Sequence, residues 1–146
     1  MDQVTILVVS RDVLELAHLN EVLAIAGYYP ILSTEHQNAR KLAHQERPQA
    51  MVIALDSSNP SDNWETFRDL LRDPVTATTP TVLIVTRQRP SWPSSHDFKN
   101  EHLVVLQQPI VATELVETIR RVIRRQRVTA PIDRNHAERR RTYGLK

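Results

Sequence analysis

The run Met51-Val52-Ile53-Ala54-Leu55 ends at one carboxylate, Asp56, and a polar loop, Ser57-Ser58-Asn59-Pro60, begins there. Five apolar residues without alternation, bounded by turn formers, are the pattern of a strand buried on both faces of a parallel sheet. A sheet of that kind must be covered on both sides, so the rest of the chain is constrained to supply helices. In open α/β sheets, ligand chemistry gathers at the carboxyl ends of the strands. Asp56 is therefore the first candidate functional residue.

The flanking sequence meets that demand. Val4 to Val9 is a β-branched, apolar strand. Asp12 is placed to cap a helix in which Leu14, Leu16, Ala17, Leu19, Val22, Leu23 and Ala26 form one inward stripe, with Glu15, Asn20 and Glu21 opposite. Gly27 ends it as a glycine just past a helix does. Tyr28 to Leu32 reads as a second strand. Ser33 or Thr34 then caps a helix of about Glu35–Glu46 with Ala39, Leu42 and Ala43 inward, ending at Arg47-Pro48. After the central strand, a helix opens at Ser61 or Asp62, runs through Trp64, Phe67, Leu70 and Leu71, and stops at Asp73-Pro74. Thr81–Val85 is a fourth strand ending at Thr86, His102–Leu106 a fifth, and about Val111–Arg127 a last helix with Leu115, Val116, Ile119, Val122 and Ile123 on its core face. Five strands alternating with helices imply a parallel α/β sheet with right-handed crossovers.

Several classes of function are excluded. Without cysteine there is no disulfide, thiolate nucleophile or cysteine zinc site. Two glycines cannot build a glycine-rich phosphate cradle, which removes P-loop enzymes and the dinucleotide fingerprint. The six histidines, His18, His36, His44, His96, His102 and His136, show no metal-ligand spacing with a third ligand, and most are expected on solvated surface. No leader or membrane-length apolar stretch is read, so the expected location is cytoplasmic, with no membrane partner. The formal charge of +2 conceals an acidic body, net −6 over residues 1–117, and a basic end, net +8 over 118–146. The division expected is a domain over residues 1–127 and a basic C-terminal tail over 128–146, loosely ordered or a short packed helix.

A (βα)5 chain of this length with a carboxylate ending its third strand resembles the response-regulator receiver domain. The resemblance rests on Ile6-Leu7-Val8-Val9 before a polar triplet, on the helix ending Gly27-Tyr28, and on Asp56 followed by Pro60. It rests also on Thr86 at the end of the fourth strand, on Gln108-Pro109 where the family has Lys-Pro, and on the separations among these residues. It covers about residues 3–127. It implies a flavodoxin-like five-stranded parallel sheet, strand order 2-1-3-4-5, with helices on both faces. It also gives Asp56 the phosphoacceptor position and Thr86 and Val105 the switch positions.

The chain departs from the family where the chemistry is done. Receivers carry two acidic residues after the first strand that hold Mg²⁺; here Ser10 and Arg11 stand there, and Asp12 is acidic one position late. Mg²⁺ requires oxygen ligands, which a permanently protonated guanidinium cannot provide. The family's lysine is Gln108, and its switch aromatic is Val105. Asp56 is then either a phosphoacceptor or a retained loop carboxylate. Arg11 either pairs with Asp56 in place of the metal or faces solvent. Thr86 either switches or merely ends a strand.

The reading is a stand-alone degenerate receiver, not an enzyme, without cofactor or metal, acting in signal transduction as a protein-interaction module. The expected partner is another signalling protein, or a second copy, on the face built from the family's fourth helix, fifth strand and fifth helix. Trp92, Arg120, Arg121 and Arg124 are the candidate contacts there, against the alternatives of a ring covering the sheet edge and a solvated basic helix face. Two other functions stay open: an atypical response regulator phosphorylated on Asp56 in a phosphorelay, and nucleic-acid binding through Arg139-Arg140-Arg141 and the rest of the basic tail, weakening steeply with salt.

Overall fold

The computed structural model describes residues 3–55, 68–85 and 102–128. Asp56, Thr86, Trp92 and the tail from residue 129 onward lie outside the described residues, as does most of the expected helix after the central strand. Five strands, β1 (Thr5–Val9), β2 (Tyr29–Ser33), β3 (Ala50–Ala54), β4 (Thr81–Val85) and β5 (Leu103–Gln107), form one sheet in the order β2-β1-β3-β4-β5. All four pairings are parallel, with registers such as Val8 opposite Val52, Ile53 opposite Leu83 and Leu83 opposite Val105. Three helices are described in full: α1 (Val13–Ile25), α2 (His36–Glu46) and α3 (Ala112–Val128). Residues 68–72 close a further helix. This is the fold the sequence predicts, with strand boundaries displaced by about one residue.

The unbroken apolar runs resolve into two cores because strand side chains alternate between faces. Ile6, Val8, Ala50, Val52, Ala54, Val82 and Ile84 point to one side, where Leu16, Leu19 and Leu23 of α1 and Leu115 and Ile119 of α3 cover them. Leu7, Val9, Met51, Ile53, Leu55, Leu83 and Val85 point to the other, against Ala39 and Ala43 of α2 and Leu70. Every residue of β3 and β4 is buried. Thus the central strand is covered from both sides, as its composition requires.

Local signals set the helix ends. Asp12 caps α1, its side chain accepting from the amides of Leu14 and Glu15. Gly27 adopts φ +95, and the amides of Gly27 and Tyr28 bond back to the carbonyls of Ala24 and Leu23, the paired closure of a Schellman motif. Two expectations fail. Leu14 and Ala17 do not join the inward stripe: both are exposed, Leu14 at 81%, and Leu14 lies across the helix from Leu16, Leu19 and Leu23. Neither Ser33 nor Thr34 caps α2. The cap is Glu35, without a side-chain cap bond, and Ser33 belongs to β2 and donates instead to the Glu35 carbonyl at 2.7 Å.

His44 is exposed, as expected for a surface histidine, yet its ring reaches a buried partner. Its Nε2 lies 2.5 Å from Oδ2 of the buried Asp73, which also accepts from Arg40 Nε at 2.8 Å. The other carboxylate oxygen, Oδ1, accepts from the Val75 amide at 2.9 Å. Asp73 thereby ties the turn before β4 to the outer side of α2. Its pKa is held well below the usual carboxylate range, chiefly by the His44 hydrogen bond, then by the Val75 amide and Arg40, against the opposing effect of burial.

Truncating Leu83→Ala removes a side chain buried in the second core and is expected to cost about 2–5 kcal/mol in urea-induced unfolding. Because Asp73 is depressed in the folded state, its contribution is complete above the ordinary carboxylate range. That contribution is lost as pH falls below the range, where the unfolded chain takes up the proton first. Asp73→Asn is therefore expected to lower stability at neutral pH and to flatten the acid limb of a Tm-against-pH curve.

Candidate functional site

Parallel strands bring their ends together, and the residues that follow β1, β3 and β5 meet along one edge. The Ser10 amide bonds to the Ser33 carbonyl at 3.1 Å, that of Leu55 to Ile84 at 2.9 Å, and that of Gln108 to Val85 at 2.8 Å. Ser10, Leu55 and Gln108 thus stand along the same end of the sheet, Leu55 buried in the second core and Ser10 and Gln108 supplying polar side chains. The peptide bond between Gln108 and Pro109 is cis.

At this edge Glu15 is the hub. From the first turn of α1, its Oε1 accepts from the Ser10 hydroxyl at 2.9 Å and its Oε2 accepts from the Gln108 side-chain amide at 2.8 Å. Ser10 is itself buried, and its oxygen accepts the Asp12 amide at 3.1 Å. A relay results: the Asp12 amide donates to Ser10, Ser10 donates to Glu15, and Glu15 holds Gln108. In the usual capping box, the glutamate three residues after the cap reaches back to the cap's own amide. Here the Ser10 hydroxyl stands between the two. It frees both oxygens of Glu15 to span from β1 to the end of β5.

Beside this network lies a cleft of about 540 Å³ between the first turns of α1 and the segment after β5, lined among others by Asp12, Glu15, His18, Gln108 and Ile110. Among the described residues, no group of three or more histidine or acidic side chains is arranged to hold a metal ion.

The expected site residues distribute as follows. Ser10, Asp12 and Gln108 come together, joined by Glu15. Arg11 is exposed, and its expected partner Asp56 lies outside the described residues. Val105 sits on β5 opposite Leu83, half-buried against the second core. Arg120, Arg121 and Arg124 project from the exposed side of α3, and Arg120 Nη1 lies 3.8 Å from the exposed Glu117. Among the described residues, no helix is long and apolar enough to cross a membrane.

With the sheet order and its polar edge established, comparison with solved structures is informative. A response-regulator receiver protein from Sinorhizobium medicae superposes with a TM-score of 0.70 at 17% identity, over 86% of this chain and 98% of that one. The fold is that of the response-regulator receiver domains. A receiver domain from Clostridium thermocellum matches with a TM-score of 0.73 at 15% identity, over 86% and 98% of the two chains. The chemotaxis protein CheY4 of Vibrio cholerae matches with a TM-score of 0.67 at 16% identity, over 83% and 99%. The sequence matches no family model and no curated protein.

Glu15, expected on the outward side of α1, is the residue that joins this edge. The signal was local and present: Asp12 and Glu15 have the spacing of cap and reciprocal acid. Its second partner, Gln108, is 93 residues away, and no local pattern reveals it. Glu15→Ala leaves the buried Ser10 hydroxyl and the Gln108 amide without this acceptor and is expected to cost about 1–3 kcal/mol. Combining it with Ser10→Ala should cost clearly less than the two single losses together, because both remove one interaction; urea unfolding of the four proteins measures this.

Proposed function

We propose that this receiver-fold chain is a signalling module that acts by binding another protein and does not depend on Mg²⁺-assisted phosphorylation of Asp56. The observation that carries the reading is the Ser10–Glu15–Gln108 network. Phosphoryl transfer rests on positioning and on neutralising charge around the transferred oxygens. The positions where receivers place metal-binding acids are a serine and an arginine here. That serine is spent on Glu15, and Asp12 is engaged in capping α1. The residue in the place of the family lysine is a neutral amide donating to Glu15. The described residues at this edge do not fit Mg²⁺, and Gln108 supplies no positive charge to a phosphoryl group.

The partner surface we assign is the side of α3 that carries Arg120, Arg121 and Arg124, together with β5, the sheet's edge strand. Exposed arginines at that density suit a partner with an acidic face, which they would attract and orient.

Intact mass after incubation with a small acyl-phosphate donor, with and without Mg²⁺, tests the proposal on wild type and Asp56→Asn. No phosphoryl adduct is expected on either protein. An Mg²⁺-dependent adduct on wild type that is absent from Asp56→Asn would establish a working response regulator instead.

A further inference from the structure

Helix α1 has apolar residues around most of its circumference. Leu16, Leu19 and Leu23 face the core. The opposite side carries Leu14 at 81% exposure and Ile25 at 80%, with the exposed Ala17 and Ala24 along one flank. A helix apolar on both sides is characteristic of one that is covered on both sides. Among the described residues nothing covers this outer stripe.

The stripe's order identifies what would fit it. At positions 14, 18, 21 and 25, which fall on one line along a helix, it reads Leu14, His18, Glu21, Ile25. Turned end over end against itself, this line is its own complement. Leu14 meets Ile25 of a second copy, His18 meets Glu21, Glu21 meets His18, and Ile25 meets Leu14. That is the reciprocal pairing an isologous two-fold interface requires. Both charged or titratable positions of the stripe find an opposite, and the apolar ends close on each other. The small Ala17 and Ala24 leave room for the helices to approach at the usual 8–10 Å.

We infer that the outer face of α1 is a homodimerisation surface, in which two copies pack α1 antiparallel about a two-fold axis, with Leu14 against Ile25 and His18 against Glu21. The residues of this stripe are distinct from those of the α3 side assigned to the partner protein, although both helices cover the same side of the sheet. The contact is one helix wide, well short of the roughly 800 Å² per partner of a standard interface. The dimer is accordingly weak and concentration-dependent.

Because the chain has no cysteine, disulfide trapping reads the register directly. Positions 14 and 25 are eleven residues apart on one helix, about 16 Å by helical rise, too far for a bond within one chain. The double variant Leu14→Cys/Ile25→Cys is expected to oxidise to a covalent dimer carrying two disulfides. Each single variant should form no cross-link under the same conditions, because in this register residue 14 never meets its own copy and neither does residue 25. Single variants that cross-link as readily as the double one, or a double variant that does not cross-link, would overturn the proposal. Sedimentation supplies an independent readout without new thiols. His18→Glu should shift the monomer–dimer equilibrium towards monomer by about tenfold or more, and His18→Glu/Glu21→Lys should restore the dimer. Equal behaviour of all three proteins, or a wild type that is monomeric at every concentration, would also refute it. Neither outcome bears on phosphorylation of Asp56, so this inference and the proposed function fail separately.

Discussion

Burying both faces of a parallel sheet leaves the interior strands no room for polar side chains along their length. In β3 and β4 every residue is buried, and in β1 four of five are. Polar groups are therefore driven to the strand ends, where the ladder runs out and backbone donors and acceptors need new partners. The carboxyl edge follows directly from this constraint. Ser10 and Gln108 come together because each is the first residue after an apolar strand, and the strand registers set their separation. The same constraint fixes the helices, since each face of the sheet needs an apolar cover.

How much of this was legible depended on the range of the signal. The five strands follow from β-branched, apolar runs, and their parallel arrangement follows from the helical spacing between them. Both are local patterns. The Schellman closure at Gly27 is local too. Leu14 was misassigned for a physical reason: a helix apolar on most sides has no clear phase, so periodicity cannot say which leucines face in. Ser33 and Thr34 looked like caps, but β2 continues through Ser33, whose hydroxyl is directed to Glu35. Asp73 read only as a helix terminator before Pro74. Its partners Arg40 and His44 precede it by 33 and 29 residues, and only the assembled layer brings them within reach.

The two carboxylates that anchor the structure differ in what balances them. Asp73 is buried against the Arg40 guanidinium and the His44 ring, and its charge is held by these two partners and a backbone amide. Glu15 at the edge is met by a hydroxyl and a primary amide, both neutral. The first arrangement stiffens a turn on the side of the sheet away from α1. The second joins the start of α1 to the segment leading into α3, the two helices that share the first core.

That junction bears on the proposed function. A site that responds to a phosphoryl group needs side chains with unmet bonding capacity, able to turn towards new charge when it arrives. Ser10 has one proton, which it gives to Glu15, and its oxygen receives Asp12. Gln108 gives a proton to the same carboxylate. Each of these residues is already partnered with a neighbour on its own edge, and turning outward would break a bond in a buried or half-buried place. Leaving a buried polar group unpaired costs about 1–3 kcal/mol, so each bond of the network opposes the outward turning of its residues. The Ser10–Glu15–Gln108 network thus ties the start of α1 to the segment that leads into α3.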